Sequence, residues 1–365
     1  MENEKKPHSA PETEAEMSEG KASENKATED KAFDGEATED KAFEADAGEY
    51  IYTPQKSIPQ KPKLFLSPGF CVPIFMIFVC VLILLTDGVR FGGGDGVDMY
   101  LSFVAVQLIV FMLPCVFYVR YRFLDIRESV RVRLPSPDKI MFTVLCALVL
   151  ILTSMTMSAV GGVFGGVYKG NANGISAPAD TRTAIYYAVC FAVVPAICEE
   201  LMFRGIIMSE YQRTSVAAAV ITSSLFFAMI HFDLTLLPFY FLSGLVLSMC
   251  AYASNSIIAS FFAHMLYNLF AIFGGGIVDR VMRSVGSVEL LAMALGALLL
   301  FILILTFGEC RRIYYSYAKR NKDSSYAPKH KQGTAAVRFA SVLLSPGAIA
   351  VTVIFAVAAI LKNKT

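Results

Sequence analysis

Charged side chains are scarce in this chain of 365 residues, where they make up 17% of the total against 55% for hydrophobic residues. Soluble globular domains carry about 25% charged residues. The shortage argues against a soluble enzyme, and the formal net charge of +1 argues against a general nucleic-acid binder. The excess of apolar residues instead predicts a protein of the lipid bilayer.

Cysteine pairs of the Cys-x-x-Cys kind are absent as well. The eight cysteines are scattered, mostly inside apolar runs, where a thiol behaves as a small hydrophobic group. We therefore expect neither a disulfide framework nor a zinc-ribbon site. The same pattern argues against a disulfide-stapled secreted domain.

The first 60 residues lack an apolar run that could form the core of a signal peptide. They hold sixteen Asp or Glu residues against seven Lys, a net charge of −9, which leaves the other 305 residues near +10. A segment this polar cannot bury enough apolar surface to offset the entropy lost on ordering. We expect residues 1–60 to be a disordered acidic tail.

Long apolar runs dominate the rest of the chain. About 20 predominantly apolar residues in a helix cross the hydrocarbon core of a bilayer. By this criterion the sequence predicts an all-α fold, a polytopic transmembrane helix bundle of eight or nine spans. The nine candidates lie at about 67–86, 101–119, 140–160, 184–203, 214–231, 235–253, 256–274, 288–307 and 339–361.

Basic residues cluster before the first run, between the second and third, and after the eighth. Because even numbers of spans separate these three segments, all of them fall on one side of the membrane. The positive-inside rule makes that side the cytoplasm, so the N-terminus is predicted inside and the C-terminus outside. The absence of an obvious organelle signal favours a bacterial cell membrane.

Ionisable residues enter three of the apolar runs, although such groups are costly inside a bilayer. The chain has four histidines, and both that lie in apolar runs belong to this set. Ionisable groups at membrane depth indicate a functional site. The set consists of Glu199, Glu200 and Arg204 at the end of the fourth run, His231 in the fifth, and His264 in the seventh, where the polar amide of Asn268 accompanies it.

Helical spacing predicts different roles for the two glutamates. Glu200 and Arg204 are four residues apart, so they share a helix face and can form an ion pair. Glu199 points about 100° away around the helix, which leaves it as a candidate general base for activating water. His264 and Asn268 are also four residues apart and together can donate hydrogen bonds to a developing oxyanion.

Together these residues resemble the CPBP family of intramembrane proteases (CAAX protease and bacteriocin processing, also called Abi), which includes the type II CAAX prenyl endopeptidase. The family is marked by Glu-Glu-x-x-x-Arg, Phe-x-x-x-His and His-x-x-x-Asn/Asp elements on successive helices. All three occur here in order, the second as Phe227 and His231. The resemblance covers residues 184–275, about a quarter of the chain.

The resemblance implies an intramembrane endopeptidase whose substrate is a peptide or protein, lipidated or membrane-embedded in some members. It implies that Glu199 and His231 hold and activate a water molecule, while His264 and Asn268 stabilise the tetrahedral oxyanion. The supporting residues that it implies are Glu200, Arg204 and Phe227.

The cofactor is left open by the resemblance, because both a metal-dependent and a metal-free mechanism have been argued for the family. A divalent metal such as zinc would be held by Glu199, His231 and His264. Typical open zinc sites use His with carboxylate or Cys ligands, and Asn is an uncommon ligand. The residues therefore slightly favour water activation without a metal.

Two other functions are also compatible with the sequence. Intramembrane Glu, Arg and His residues mark the pathways of ion-coupled transporters, although no second Glu-Glu segment suggests an internal repeat. A non-catalytic bacteriocin-immunity or scaffold membrane protein is the other alternative.

The predicted organisation is an acidic tail (1–60), accessory transmembrane helices with a basic loop (61–183), a CPBP-like catalytic core (184–275) and C-terminal transmembrane helices with a basic loop (276–365).

Overall fold

A computed structural model describes residues 67–86, 97–124, 130–163, 180–212, 215–321 and 340–362. Throughout these ranges the regular elements are helical, which confirms the predicted all-α class. The predicted acidic tail at 1–60 lies outside the described residues.

The main helices follow the apolar runs of the sequence. They are α1 (Pro68–Thr86), α2 (Val97–Gln107), α3 (Leu113–Arg122), α4 (Ile140–Val163), α5 (Thr181–Tyr187), α6 (Val194–Glu200), α7 (Met208–Gln212), α8 (Val216–Met229), α9 (Leu237–Ser254), α10 (Ile257–Phe273), α11 (Gly275–Val285), α12 (Val288–Asn321) and α13 (Pro346–Lys362).

Six helical stretches are long and apolar enough to cross a membrane, which makes the chain an integral membrane protein. The predicted runs at 214–231, 256–274 and 339–361 correspond to shorter apolar helices, α8, α10 and α13. The count of eight or nine complete crossings therefore stays a prediction. The six long stretches are Pro68–Thr86, Met99–Arg122, Pro137–Val163, Thr181–Gln212, Leu237–Ser254 and Val288–Lys319.

The fourth of these stretches changes between α and π geometry on both sides of α6. The π-helical turns lie at Ala188–Val193 and Leu201–Ile207. Pro195 near the start of α6 has no N–H to donate to the preceding turn. The wider turn before it accommodates this loss, because the N–H of Val194 bonds to the carbonyl of Val189, five residues earlier. The helix that carries both glutamates is thus irregular on either side of them.

The helices around the glutamates form one packed core. Helix α8 packs along α9, while α4 contacts α9, α10 and α12. A tight turn joins α9 to α10: Asn255 has a left-handed φ of +54°, and the Ser256 hydroxyl accepts a hydrogen bond from the N–H of Ala259 at 3.3 Å. This turn sets the register of α10 and hence the position of its histidine.

Helices α8 and α9 are in close contact at Gly244. A Cβ atom added there would lie 2.8 Å from Cα and 2.9 Å from Cβ of Ser224. One turn further along α9, the Ser248 and Ser224 hydroxyls are 3.3 Å apart and share a hydrogen bond. Small residues that allow backbones to touch are the usual means of packing helices in a membrane.

We predict that Gly244→Ala destabilises the protein by about 1–3 kcal/mol, because the added methyl group must push α8 away from α9. The measurement is the midpoint of thermal unfolding in detergent. Gly296→Ala is the matched control, since an added Cβ there meets nothing within 4 Å. Equal unfolding midpoints for the two variants would contradict the close packing at Gly244.

Candidate active site

A cavity of about 300 Å³ lies among the core helices. All four residues predicted to be catalytic line it, although they come from three separate parts of the chain: α6, the end of α8 and α10. Apolar and aromatic side chains form most of the remaining wall, as is usual in sites that bind organic ligands. The four residues that the structure brings together here are Glu199, His231, His264 and Asn268.

Glu200 lies behind this wall at the centre of a buried hydrogen-bond network. Its Oε1 accepts from Nη1 of Arg204 at 2.7 Å and from Nδ1 of His264 at 3.0 Å. A second nitrogen of Arg204, Nη2, donates to the carbonyl of Gly244 at 3.1 Å. Glu200 and Arg204 are each 1% exposed. The ion pair predicted from the i,i+4 spacing is thus present, and it also holds the ring of His264.

Glu199 faces the cavity rather than the arginine. It is 8% exposed, and its Oε2 lies 3.9 Å from Nε2 of His264. The imidazole of His264 therefore lies between two carboxylates, with Nδ1 toward Glu200 and Nε2 toward Glu199. This arrangement leaves Glu199 as the carboxylate that can reach a molecule in the cavity.

His231 follows the end of α8 and is held in a defined orientation. Its Nδ1 lies 2.9 Å from the carbonyl oxygen of Phe227. Because a carbonyl only accepts, Nδ1 must carry the proton, and Nε2 of the neutral ring keeps its lone pair. The ring also stacks on Tyr240, with centroids 3.7 Å apart and planes at 16°. The structure therefore fixes both the tilt and the tautomer of this imidazole.

Phe227 packs among three of the functional groups. Its ring centroid is 5.1 Å from that of His231 and 5.8 Å from that of His264. On another side, the guanidinium carbon of Arg204 lies 4.6 Å from the ring centroid, within the range of a cation–π contact. Phe227 thus helps to support both histidines and the buried arginine.

Asn268 contributes a carboxamide to the same cavity. Its Nδ2 donates to the carbonyl of Ala192 over 3.5 Å, at the long limit of a hydrogen bond. This carbonyl belongs to the π-helical turn that precedes α6. A long bond of this kind is readily exchanged for a better acceptor, so the amide is available to a bound molecule.

A divalent metal ion at the cavity stays a prediction. Across the described ranges, no three or more His, Cys, Asp or Glu residues are grouped so as to hold a metal ion. Nδ1 of His231 and Nδ1 of His264 are both engaged in hydrogen bonds, which is also the usual arrangement in a histidine that binds a metal through Nε2.

Other cavity residues were not identified from the sequence. Gln107 on α2 and Ser243 on α9 line the cavity, as does Tyr240. The first two are polar residues inside predicted spans, and that signal could have drawn attention to them. No local pattern in the sequence indicates that Tyr240 stacks on His231, because the turn between α8 and α9 decides that contact.

Comparison with known proteins gives a family match over the region of the site. A family model described as "Type II CAAX prenyl endopeptidase Rce1-like" matches residues 181–270. The match begins at the start of α5 and ends within α10, so it includes all four cavity residues predicted to be catalytic. No curated protein and no solved structure matches the chain significantly. The chain is thus a membrane protein whose residues 181–270, about a quarter of its length, match a CAAX prenyl endopeptidase family.

Proposed function

We propose that this protein is an intramembrane endopeptidase that hydrolyses a peptide bond with water activated by Glu199. One observation carries the proposal: Glu199, His231, His264 and Asn268 line a single cavity within a region that matches a CAAX endopeptidase family. A carboxylate, two imidazoles and a carboxamide supply the proton acceptor and the hydrogen-bond donors that amide hydrolysis requires.

Water activation falls to Glu199 and His231. The carboxylate of Glu199 removes one proton from the water, and the lone pair on Nε2 of His231 accepts a hydrogen bond from the other. The oxygen of the water then bonds to the carbonyl carbon of the peptide, whose C=O electron pair moves onto its oxygen. The stacked, singly oriented ring of His231 supports this role, because it fixes the direction of the water.

The tetrahedral oxyanion is stabilised by His264 and Asn268. Nδ2 of Asn268 and Nε2 of His264, in the doubly protonated form of the ring, donate hydrogen bonds to it. When the intermediate collapses, the C–N bond breaks and the leaving amine takes the proton that Glu199 received. Water is consumed, and one carboxylate terminus and one amine terminus are formed.

Glu200 and Arg204 act by holding His264. The carboxylate of Glu200 fixes Nδ1, so that Nε2 is directed toward Glu199 and the cavity. Arg204 balances the charge of Glu200 and ties it to α9 through the carbonyl of Gly244. This support corresponds to the outer contacts that orient reacting groups in other enzymes.

The proposed substrate is a peptide or protein at the membrane. The name of the matching family describes a prenyl endopeptidase, and the mainly apolar cavity wall suits a substrate that carries apolar groups. A fluorogenic peptide that ends in a prenylated Cys-a-a-X sequence is therefore the first substrate to test.

We predict that Glu199→Gln lowers cleavage of this peptide by about 10²–10⁴-fold, because the amide cannot accept the proton of water. The protein should fold as wild type does, since the two side chains have the same shape. Rates and unfolding midpoints are measured in detergent or nanodiscs. The control is Glu309→Gln, which changes a carboxylate paired with Arg312 on α12 and outside the cavity wall.

Cleavage at the wild-type rate by the Glu199→Gln variant would contradict the mechanism. Two further results would favour the alternatives drawn from the sequence. Substrate-dependent flux in proteoliposomes that survives the loss of His231 would indicate a transporter. Binding of the peptide by wild-type protein without any cleavage would indicate a non-catalytic scaffold.

We predict that Arg204→Lys reduces both stability and activity. A single ammonium group cannot bond to Glu200 and Gly244 with the fork of a guanidinium, so the loss should be about 1–3 kcal/mol. Unfolding midpoints and cleavage rates are compared with those of Arg312→Lys. Arg312 also bonds to a carboxylate, Glu309, and to a carbonyl, that of Asp138, but its side chain is 46% exposed, so we expect a change of less than about 0.5 kcal/mol. Equal losses in the two variants would refute the supporting role of Arg204.

A further inference from the structure

Ser243 is a polar residue on the cavity wall whose hydroxyl is unpaired. It is 5% exposed, and its Oγ has no hydrogen-bond partner among the described residues. It shares the cavity-facing side of α9 with Tyr240 and Leu247. Buried polar atoms in native proteins rarely lack a partner, so one beside a reaction cavity requires an explanation.

Several other hydroxyl groups in the membrane helices donate a hydrogen bond to their own helix backbone, whereas Ser243 does not. Thr143, Ser224 and Ser254 each donate to the carbonyl four residues earlier, at 3.1, 2.6 and 2.6 Å. This bond is the ordinary way to satisfy a hydroxyl within an apolar helix. Thr156 and Thr222 also lack a partner in the described structure, but neither lines the cavity. Ser243 therefore combines an unpaired hydroxyl with a position at the cavity.

Gln107, on another helix, is a second polar residue of the cavity wall with an unpaired buried atom. It lies at the end of α2, within a membrane-spanning stretch, and lines the same cavity. Its Oε1 is buried and has no hydrogen-bond partner among the described residues. The helix widens into π geometry at the next residue, Leu108. Short π-helical turns of this kind are frequent at functional sites.

We propose that Gln107 and Ser243 form a subsite that binds the peptide backbone of the substrate beside the scissile bond. The inference rests on the endopeptidase function proposed above. Oε1 of Gln107 accepts a hydrogen bond from a peptide N–H, and Oγ of Ser243 donates one to a peptide C=O. An extended peptide presents both groups whatever its side chains, so this subsite holds substrates independently of their sequence. The few polar groups of a mainly apolar pocket are those that fix ligand orientation.

The test measures KM and kcat of Ser243→Ala and Gln107→Met on the prenylated fluorogenic peptide. Each variant removes one neutral hydrogen bond to the substrate, so KM should rise about five- to tenfold with kcat within about twofold. Thr222→Val is the matched control, because it removes an unpaired buried hydroxyl that does not line the cavity. Its kinetic constants should equal those of wild type.

A set of substrate analogues identifies the backbone N–H group that donates a hydrogen bond to Gln107. In each analogue one backbone N–H near the scissile bond is replaced by an ester oxygen. For one analogue, the increase in KM caused by Gln107→Met should fall below about twofold. In that analogue the N–H group that donates a hydrogen bond to Gln107 is already absent, so the substitution removes nothing further. If Ser243→Ala fails to fold, Ser243→Cys takes its place, since it keeps the shape and weakens the hydrogen bond.

Different results would overturn the subsite and the endopeptidase function. Kinetic constants for Ser243→Ala and Gln107→Met that match those of Thr222→Val, while wild type cleaves, would overturn the subsite alone. If wild type does not cleave, the endopeptidase proposal fails, and binding of the same peptide to Glu199→Gln protein decides the subsite. A dissociation constant that Ser243→Ala leaves unchanged in that background, or no binding at all, would overturn it.

Discussion

A charged guanidinium buried inside an apolar helix bundle constrains the rest of the site. Arg204 is 1% exposed, and a charge in such surroundings requires a partner of opposite sign. Glu200 supplies the charge, and the carbonyl of Gly244 accepts from a second nitrogen. Since these acceptors belong to α6 and α9, compensation of one charge also fixes how the two helices lie against each other.

The same constraint connects membrane packing to the chemistry of the cavity. Gly244 allows the backbone of α9 to approach α8 at Ser224, and its own carbonyl reaches Arg204. The guanidinium in turn holds Glu200, whose Oε1 fixes Nδ1 of His264 on α10. A small residue chosen for close helix contact therefore contributes, through two further side chains, to the orientation of an imidazole at the reaction cavity.

Periodicity and motif spacing predict much of this structure. Each of the nine apolar runs contains a helix, and the i,i+4 spacing of Glu200 and Arg204 gives the ion pair. Complete crossings are harder to predict, because α8, α10 and α13 are shorter than the apolar runs that predicted them. The bond between Glu200 and His264 spans 64 residues, and the one to Gly244 uses a carbonyl that every residue has. Only tertiary packing selects such partners.

Two adjacent glutamates can perform separate tasks because the helix turns by about 100° between them. Glu200 faces the guanidinium and the imidazole and does not line the cavity, so it is not placed to take a proton from a water molecule there. Glu199 faces the cavity, with Nε2 of His264 at 3.9 Å. The ring of His264 links them, so the buried ion pair orients the group beside the reactive carboxylate without occupying that carboxylate. Exchanging the two roles would require rotating α6 against α9 and α10, which the bond from Arg204 to Gly244 opposes.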